Sequence, residues 1–389
     1  MRGLLPVSEA RGLTPIHAWS RGVCPLLTPR SGTGTVGDGA CPVFEMPMTC
    51  PTPFKSATIQ LAHGGGGKLM QDLFRELVVR SFASPSPALL HDGATGPIQE
   101  GTMAFTTDSY VVHPLFFPGG DIGSLAVHGT VNDLAMCGAQ PRWLSAAFIL
   151  EEGLSFETLG RVVHSMAMAA KDCGVPIVTG DTKVVDRGKG DGIYINTSGI
   201  GVVPSSVTVG PQRVRPGDVI LVSGDLGSHG IAVLSVRDGL SFAGEVGSDS
   251  APLHRVVADL IESGVEIHCL RDLTRGGLAS ALNEIASASD LTLSIDERAI
   301  PVRPQVQGAC EVLGLDPLYV ANEGRFVAFV PQADADRALA VLQRHPVSRH
   351  ASLIGEVPLK EAPAVVLRTV LGTHRALDLL SGEQLPRIC

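Results

Sequence analysis

The chain has 389 residues, 44% hydrophobic and 4% aromatic, with 45 glycines and a formal net charge of −9. Such a length suits about two or three domains of ~150 residues each, and the small-residue mix suits an α/β protein with many tight loops. An acidic chain without a basic block argues against a nucleic-acid binder, and no apolar run approaches the ~18 residues of a membrane span. The eight cysteines form no C-x-x-C pair, which argues against a disulfide framework or a structural zinc site. The N-terminal arginines precede no apolar segment of the secretory kind, so the reducing cytoplasm is the expected compartment.

Residues 1–55 are rich in Pro, Gly, Ser and Thr and read as a disordered extension. Met46 and Met48 lie just before the first regular element, so a later start codon is an alternative reading. The run Gly32 to Gly37 matches G-x-G-x-x-G, but no strand precedes it and no helix can follow it. Order is expected from Thr58, where a short apolar segment leads through four glycines into a helix striped by Leu69, Met70, Leu73, Phe74 and Leu77. "GTMAFTTDSYVV" reads as a strand pair. Ser124 is expected to cap a helix running to Met136, and Ser155 another that Gly174 ends. "VPIVTGDTK" and "DGIYINTSGIGVV" read as strands. A second block then supplies a buried strand at Val219–Val222, a helix with Leu278, Leu282 and Ile285 inward, the strand "GRFVAFV" and a helix stopped by Pro346. The expected division is 1–55 extension, 56–205 first domain, 206–380 second domain, and 381–389 a mobile tail ending in Cys389.

The loops carry the chemistry. "HGGGGK", His63 to Lys68, stands before a helix, where successive backbone N–H groups and the helix N-terminus can hold an anion. Leu69 follows Lys68 where a Walker A loop needs Ser or Thr, and a flexible linker is the bland alternative. Asp108, Asp133, Asp181 and Asp272 sit at the ends of elements in both blocks. Each alone reads as a turn or cap residue; together they suit Mg²⁺, which takes one or two carboxylates plus phosphate oxygens. Lys183 in "GDTK" suits a phosphate or a developing oxyanion. Arg275, Gly276 and Gly277 in "LTRGGL" repeat the glycine-before-helix device, and Glu323 in "ANEGRF" is a candidate proton acceptor or a plain loop charge. The twelve histidines show no metal-ligand spacing; His128 reads as a satisfied core residue. The residues by themselves lead to a two-block α/β binder of Mg²⁺–nucleotide with a terminal thiol.

"LAHGGGGKLM", "TTDSYVVHPLFFPGGDIGSLAVHGTVNDLAMCGA", "FILEEGL", "IVTGDTKVV", "INTSGIG", "LVSGDLGSHG", "RDLTRGGLASALNEIA", "VANEGRF" and the final "PRIC" run in order from about residue 57 to 389. Together they resemble the HypE family of hydrogenase maturation carbamoyl dehydratases. That family belongs to the superfamily of aminoimidazole ribonucleotide synthetase (PurM-like), selenophosphate synthetase and thiamine-monophosphate kinase. The resemblance implies two PurM-like α/β domains, the first pairing with its twin in a homodimeric β-barrel that has ATP sites at its rim. It implies ATP and Mg²⁺, with nucleotide contacts from Gly64, Gly65, Gly66, Gly67, Lys68, Gly180, Thr182, Arg275, Gly276 and Gly277. Metal contacts would come from Asp108, Asp133, Asp181 and Asp272, and chemistry from Cys389, Lys183 and Glu323. It further implies that a HypF-type carbamoyltransferase loads the Cys389 thiol. ATP then drives dehydration to a thiocyanate, and the cyano group passes to iron on a HypC–HypD complex. Ser228 departs from the family, which usually has an acidic residue there. The alternatives are a superfamily kinase or synthetase for a free small molecule, against which the terminal Cys389 counts, and a non-catalytic scaffold, against which the intact carboxylates and Lys183 count.

Overall fold

The computed structural model describes residues 56–64, 68–82, 101–240, 244–359, 364–379 and 388–389. The extension 1–55, with its Gly32–Gly37 run, and Gly65, Gly66 and Gly67 of the glycine loop lie outside the described residues.

A 3₁₀ turn at Leu61–Gly64 leads to α1 (Lys68–Leu73), which continues through a π-helical turn (Phe74–Val79) into α2 (Arg80–Phe82). Leu73 is buried as its stripe position requires, but Leu69 is 40% exposed, so the apolar stripe begins one turn later than its spacing suggests. The threonine-rich segment expected as a strand pair is one continuous strand, β1 (Thr102–Tyr110). Its chain reversal comes later, at β2 (Phe116–Phe117) and β3 (Gly120–Asp121). Asp121, not Ser124, caps α3 (Ile122–Met136). Asp121 Oδ1 accepts from the amides of Gly123 and Ser124 at 2.7 and 3.1 Å, and Ser124 Oγ accepts from the Asp121 amide at 3.1 Å. The serine is thus the third helical residue of a capping box, a position interchangeable with the cap in sequence alone. Next come β4 (Gln140–Glu151), α4 (Phe156–Cys173), β5 (Ile177–Val185) and β6 (Ile193–Val203), with Ser155 capping α4 and Gly174 ending it in the left-handed region, as expected.

These strands form an open sheet in the order β1-β6-β4-β5. The alternation along β6 is strict: Ile193, Ile195, Thr197, Gly199 and Gly201 are buried, while Tyr194, Asn196, Ser198 and Ile200 are half-exposed. One face therefore packs on α3 and α4 and the other is uncovered. The uncovered face carries Met103, Phe105 and Ile149, 66%, 64% and 45% exposed. Among the described residues β1 and β5 are edges without a further strand, and the four strands do not close into a barrel.

The second sheet, ordered β13-β12-β9-β11-β7-β10-β8, is built from β7 (Asp218–Val222), β8 (Cys269–Asp272), β9 (Thr292–Asp296), β10 (Phe326–Pro331), β11 (Ser352–Glu356), β12 (Ala364–Arg368) and β13 (His374–Ala376). Around it lie α5 (Ser228–Arg237), α6 (His254–Glu262), α7 (Gly277–Ser289), α8 (Pro304–Leu313) and α9 (Ala335–Arg344). β7 and β10, buried at almost every residue, are two of its interior strands. The end of α3 joins the two layers: Ala135 and Met136 pack in one cluster with Val219, Leu253, Leu270 and Phe326. No helix among the described residues is long and apolar enough to cross a membrane.

Candidate active site

Asp108 lies on β1 opposite Thr197, and its row continues through Ala146 of β4 to Gly180 of β5. Its side chain shares the covered face with Ala104 and Tyr110. Asp133, on α3 beneath that face, accepts from Thr106 Oγ1 at 2.8 Å. Asp272 ends β8, opposite Phe326. Burial pushes Asp272 up to about 7; Asp133 and Asp108 add to the shift and Arg271 opposes it. Burial also raises Asp133, helped by Asp108 and opposed by the Thr106 hydroxyl and Arg271. The opposing arginine is itself paired to Glu284 at 2.6 Å.

Glu323 closes this acidic ring. It is 3% exposed, and burial, followed by Asp272, Asp249 and Asp108, holds its carboxyl well above the usual carboxylate range. Its Oε1 has no hydrogen-bond partner among the described residues. The backbone is fixed on both sides. The Glu323 and Gly324 amides donate to Asp249 Oδ1 and Oδ2 at 3.3 and 3.2 Å, and the Glu323 carbonyl accepts from Asn132 Nδ2 at 3.3 Å. Gly324 is obligatory, since a Cβ there would come within 2.0 Å of the Asp249 carbonyl oxygen. Arg325 next to it bridges Asp225, at 2.9 Å, and Asp249, at 3.7 Å. Ser228, at the family's acidic position, is fully buried and donates to Asp225 at 3.2 Å, so its hydroxyl serves this ion-pair cluster.

The chain terminus is seated in the same place. The Cys389 thiol stands beside the Glu323 carboxyl, each shifting the other's proton affinity. Burial holds the thiol well above its usual pKa; Glu323 and Asp108 push the same way and Arg275 opposes them. Ile388 is 3% exposed, in one cluster with Phe117, Val233 and Ala321. Cys389, Glu323, Arg275, Asp108, Asp133 and Asp272 are thus brought together. Gly276 and Gly277, at φ +76° and +59°, form the left-handed turn that starts α7 behind Arg275.

Asp181 and Lys183 are placed elsewhere. Both lie on the edge strand β5, exposed, opposite Ala147 and Ile149 on the uncovered face. Asp108 and Gly180 are separated by three strand spacings, ~14 Å along the sheet. Within one chain, Asp181 therefore does not share a first coordination sphere with Asp108. The Leu61–Gly64 turn packs beside β5, which puts the entry to the glycine loop near Asp181 and Lys183. Lys68 opens α1, as expected of the residue after the loop. Thr182 points into the covered side, 3% exposed, with no partner for its Oγ1 among the described residues. Gly180 has a packing role of its own, since a Cβ would meet the Ala146 carbonyl oxygen at 2.1 Å.

Among the described residues, no three His, Cys, Asp or Glu side chains stand close enough to hold a metal ion unaided. The donor chemistry nevertheless fits Mg²⁺ delivered with a nucleotide, which needs one or two carboxylates and takes its other ligands from phosphate and water. Asp133 and Asp272, desolvated and facing like charge, are the groups a cation would relieve. Sequence reasoning missed Asp249, Asn132 and His229, whose roles are fixed by backbone atoms that no motif displays. His128 is satisfied as expected, with Nδ1 3.0 Å from Ser250 Oγ and burial lowering it to about 4.

Residues 91–203 match the family model "AIR synthase related protein, N-terminal domain", and residues 215–367 match its C-terminal counterpart. Carbamoyl dehydratase HypE of Cupriavidus necator is 53% identical over 340 residues, 87% of this chain and 97% of the relative. A crystal structure of hydrogenase maturation protein HypE in complex with ATP superposes with a TM-score of 0.82 at 52% identity, covering 85% of this chain and 99% of that one. A crystal structure of a HypE–HypF complex matches with a TM-score of 0.70 at 44% identity, covering 81% of this chain and 100% of that one. With its two-domain PurM-like α/β fold, this chain belongs to the HypE carbamoyl dehydratase family of hydrogenase maturation proteins.

Proposed function

We propose that the chain uses ATP to dehydrate an S-carbamoyl group on its own Cys389 to a thiocyanate, the source of cyano ligands for the iron of [NiFe] hydrogenase. The observation that carries this reading is the seating of the terminal thiol against the buried carboxyl of Glu323. A thiol held in its protonated form is a poor nucleophile. Loading therefore needs the tail undocked and an activated carbamoyl donor, which a HypF-type partner supplies. Burying an Ile side chain contributes about 1.5–3 kcal/mol, and fixing the backbone of two residues costs about 2–4 kcal/mol. Apolar burial and backbone ordering of Ile388 and Cys389 are thus near balance, so the remaining polar contacts of the terminus decide whether the tail stays docked.

The carbamoyl oxygen cannot leave as oxide. It takes the γ-phosphoryl group of ATP and leaves as phosphate, the C–O bond breaking as the nitrogen lone pair completes C≡N. Glu323, in its ionised form, takes one of the two protons that nitrogen sheds, and the departing phosphate carries the other away. Lys183 supplies positive charge for the carbamoyl oxygen and the transferring phosphoryl. Mg²⁺ held at Asp133 and Asp272, with Asp108 and Asp181 as the remaining candidates, would neutralise the triphosphate. The glycine loop from Gly64 to Gly67, Lys68, Gly180, Thr182 and the Arg275–Gly277 turn would line the nucleotide; for Thr182 the contact is a backbone one.

The reading includes a homodimer. The exposed apolar face of the N-terminal sheet and its β1 and β5 edges, unpaired among the described residues, support a second copy closing a barrel, with ATP at the rim where Asp181 and Lys183 stand. Residues 56–205 would be the ATP-binding domain, 206–380 its companion and 381–389 the carrier tail, which visits HypF-type and HypC–HypD partners in the cytoplasm. The test supplies ATP, carbamoyl phosphate and the transferase, then weighs the C-terminal peptide. The peptide gains one carbamoyl group and, with ATP, loses one water, and Cys389→Ala gains nothing. If Cys389→Ala acquires both changes, another cysteine is the carrier.

A further inference from the structure

The terminus is held by contacts that the chemistry at Glu323 does not require. The Ile388 carbonyl oxygen lies 2.8 Å from His229 Nε2, in the buried interior. A carbonyl only accepts, so Nε2 carries the proton and donates. Burial keeps the ring neutral, against the pull of Asp249 and of the Ile388 carbonyl. Nδ1 is then bare and accepts from Ser248 Oγ at 2.8 Å. Phe117 meets the imidazole edge-on, with ring centres 5.4 Å apart. Ser248 and Phe117 set the tilt of the ring, and with the tail docked its Nε2–H points at the Ile388 carbonyl.

The loop that orients this histidine also orients the carboxyl. Ser248 contacts His229, while Asp249 beside it holds the amides of Glu323 and Gly324. The Ser248 amide donates to the Pro118 carbonyl at 2.7 Å, tying the loop to the β2–β3 hairpin that carries Phe117. The receptor for the tail and the group that meets the thiol are therefore built on one short, doubly anchored segment.

We propose that His229 is a positioning residue: its Nε2–H clamps the Ile388 carbonyl, the Ile388 side chain anchors beside it, and the two set the Cys389 sulfur in register with Glu323. The catalytic consequence rests on the dehydratase reading; the clamp itself does not.

The test alkylates the full-length chain with iodoacetamide and follows Cys389 by mass spectrometry of the C-terminal peptide. His229→Ala speeds the alkylation about tenfold, the loss expected for one buried hydrogen bond with its carbonyl left unpaired. His229→Gln, whose amide nitrogen reaches the position of Nε2, restores the slow rate. On the carbamoylated chain, His229→Ala slows the loss of water at saturating ATP without changing the KM for ATP, and His229→Gln recovers it. Ile388→Ser removes the anchor without changing a residue of any helix or strand and also speeds alkylation, with circular dichroism confirming that both domains stay folded. Wild-type alkylation rates in both His229→Ala and Ile388→Ser overturn the clamp. Faster alkylation in both, with no water lost from any chain including wild type, upholds the clamp and removes the dehydratase reading.

Discussion

The two faces of the N-terminal sheet bear the same residue type in opposite surroundings. On the covered face, Asp108 looks across to Asp133, Asp272, Glu323 and the Cys389 thiol, with like charges crowded and Glu323 buried. On the uncovered face, Asp181 and Lys183 stand exposed on an edge strand beside the start of the glycine loop. Desolvation raises the proton affinity of the covered carboxyls, while the open face keeps its charge solvated. On the proposed reading, proton transfer uses the first environment and the phosphoryl group the second, and the alternation of side chains in one sheet separates them.

The largest expected effect tests whether the two faces serve one nucleotide. Asp133→Ala and Asp181→Ala should each abolish Mg²⁺-dependent binding of a non-hydrolysable ATP analogue by isothermal titration, with the fold and dimer retained. If only Asp133→Ala loses binding, the metal belongs to the covered face alone; unchanged affinity in both removes the shared site.

A smaller effect reads the covered face through pH. Asp272 is raised from 3.8 to about 7, so between those values the folded chain holds a proton that the unfolded chain has released. Stability contributed by this group is present below 3.8 and declines as pH climbs towards about 7. Thermal melts of the ligand-free protein should fall across that window, and Asp272→Asn should flatten the slope. Mg²⁺ with the ATP analogue should flatten it too, since a cation favours the ionised form. An unchanged slope in Asp272→Asn would show that the carboxyl is not desolvated.

Periodicity in the sequence made much of this fold legible. Ser155 and Gly174 bound α4 because cap and left-handed stop are local chemistry, and the buried strands β7 and β10 announce themselves as short apolar runs. Asp121 and Ser124 were indistinguishable as caps because both members of a capping box are acceptors three residues apart. In the site, the residue types were legible and their faces were not. "GDTK" gives no sign that Asp181 and Lys183 turn away from Asp108, because that depends on β5 pairing in parallel with β4 at an edge. The tail read as a free carrier, yet Ile388 is a core residue of the first block. One isoleucine without a periodic neighbour carries no pattern to predict that. His229 stood within a recognised motif, and only its 2.8 Å contact with the Ile388 carbonyl reveals what it faces.

The central claim is that water is lost from a thiocarbamate seated at Glu323, and one single-turnover measurement addresses it directly. The chain is carbamoylated on Cys389 by the transferase, freed of donor, mixed with ATP and Mg²⁺, and sampled by mass spectrometry of its C-terminal peptide. Wild-type peptide should lose one water, while Glu323→Gln should bind ATP and keep its carbamoyl group, slowed about 10²-fold or more as for removal of a positioned base. Loss of water at the wild-type rate in Glu323→Gln would contradict the account.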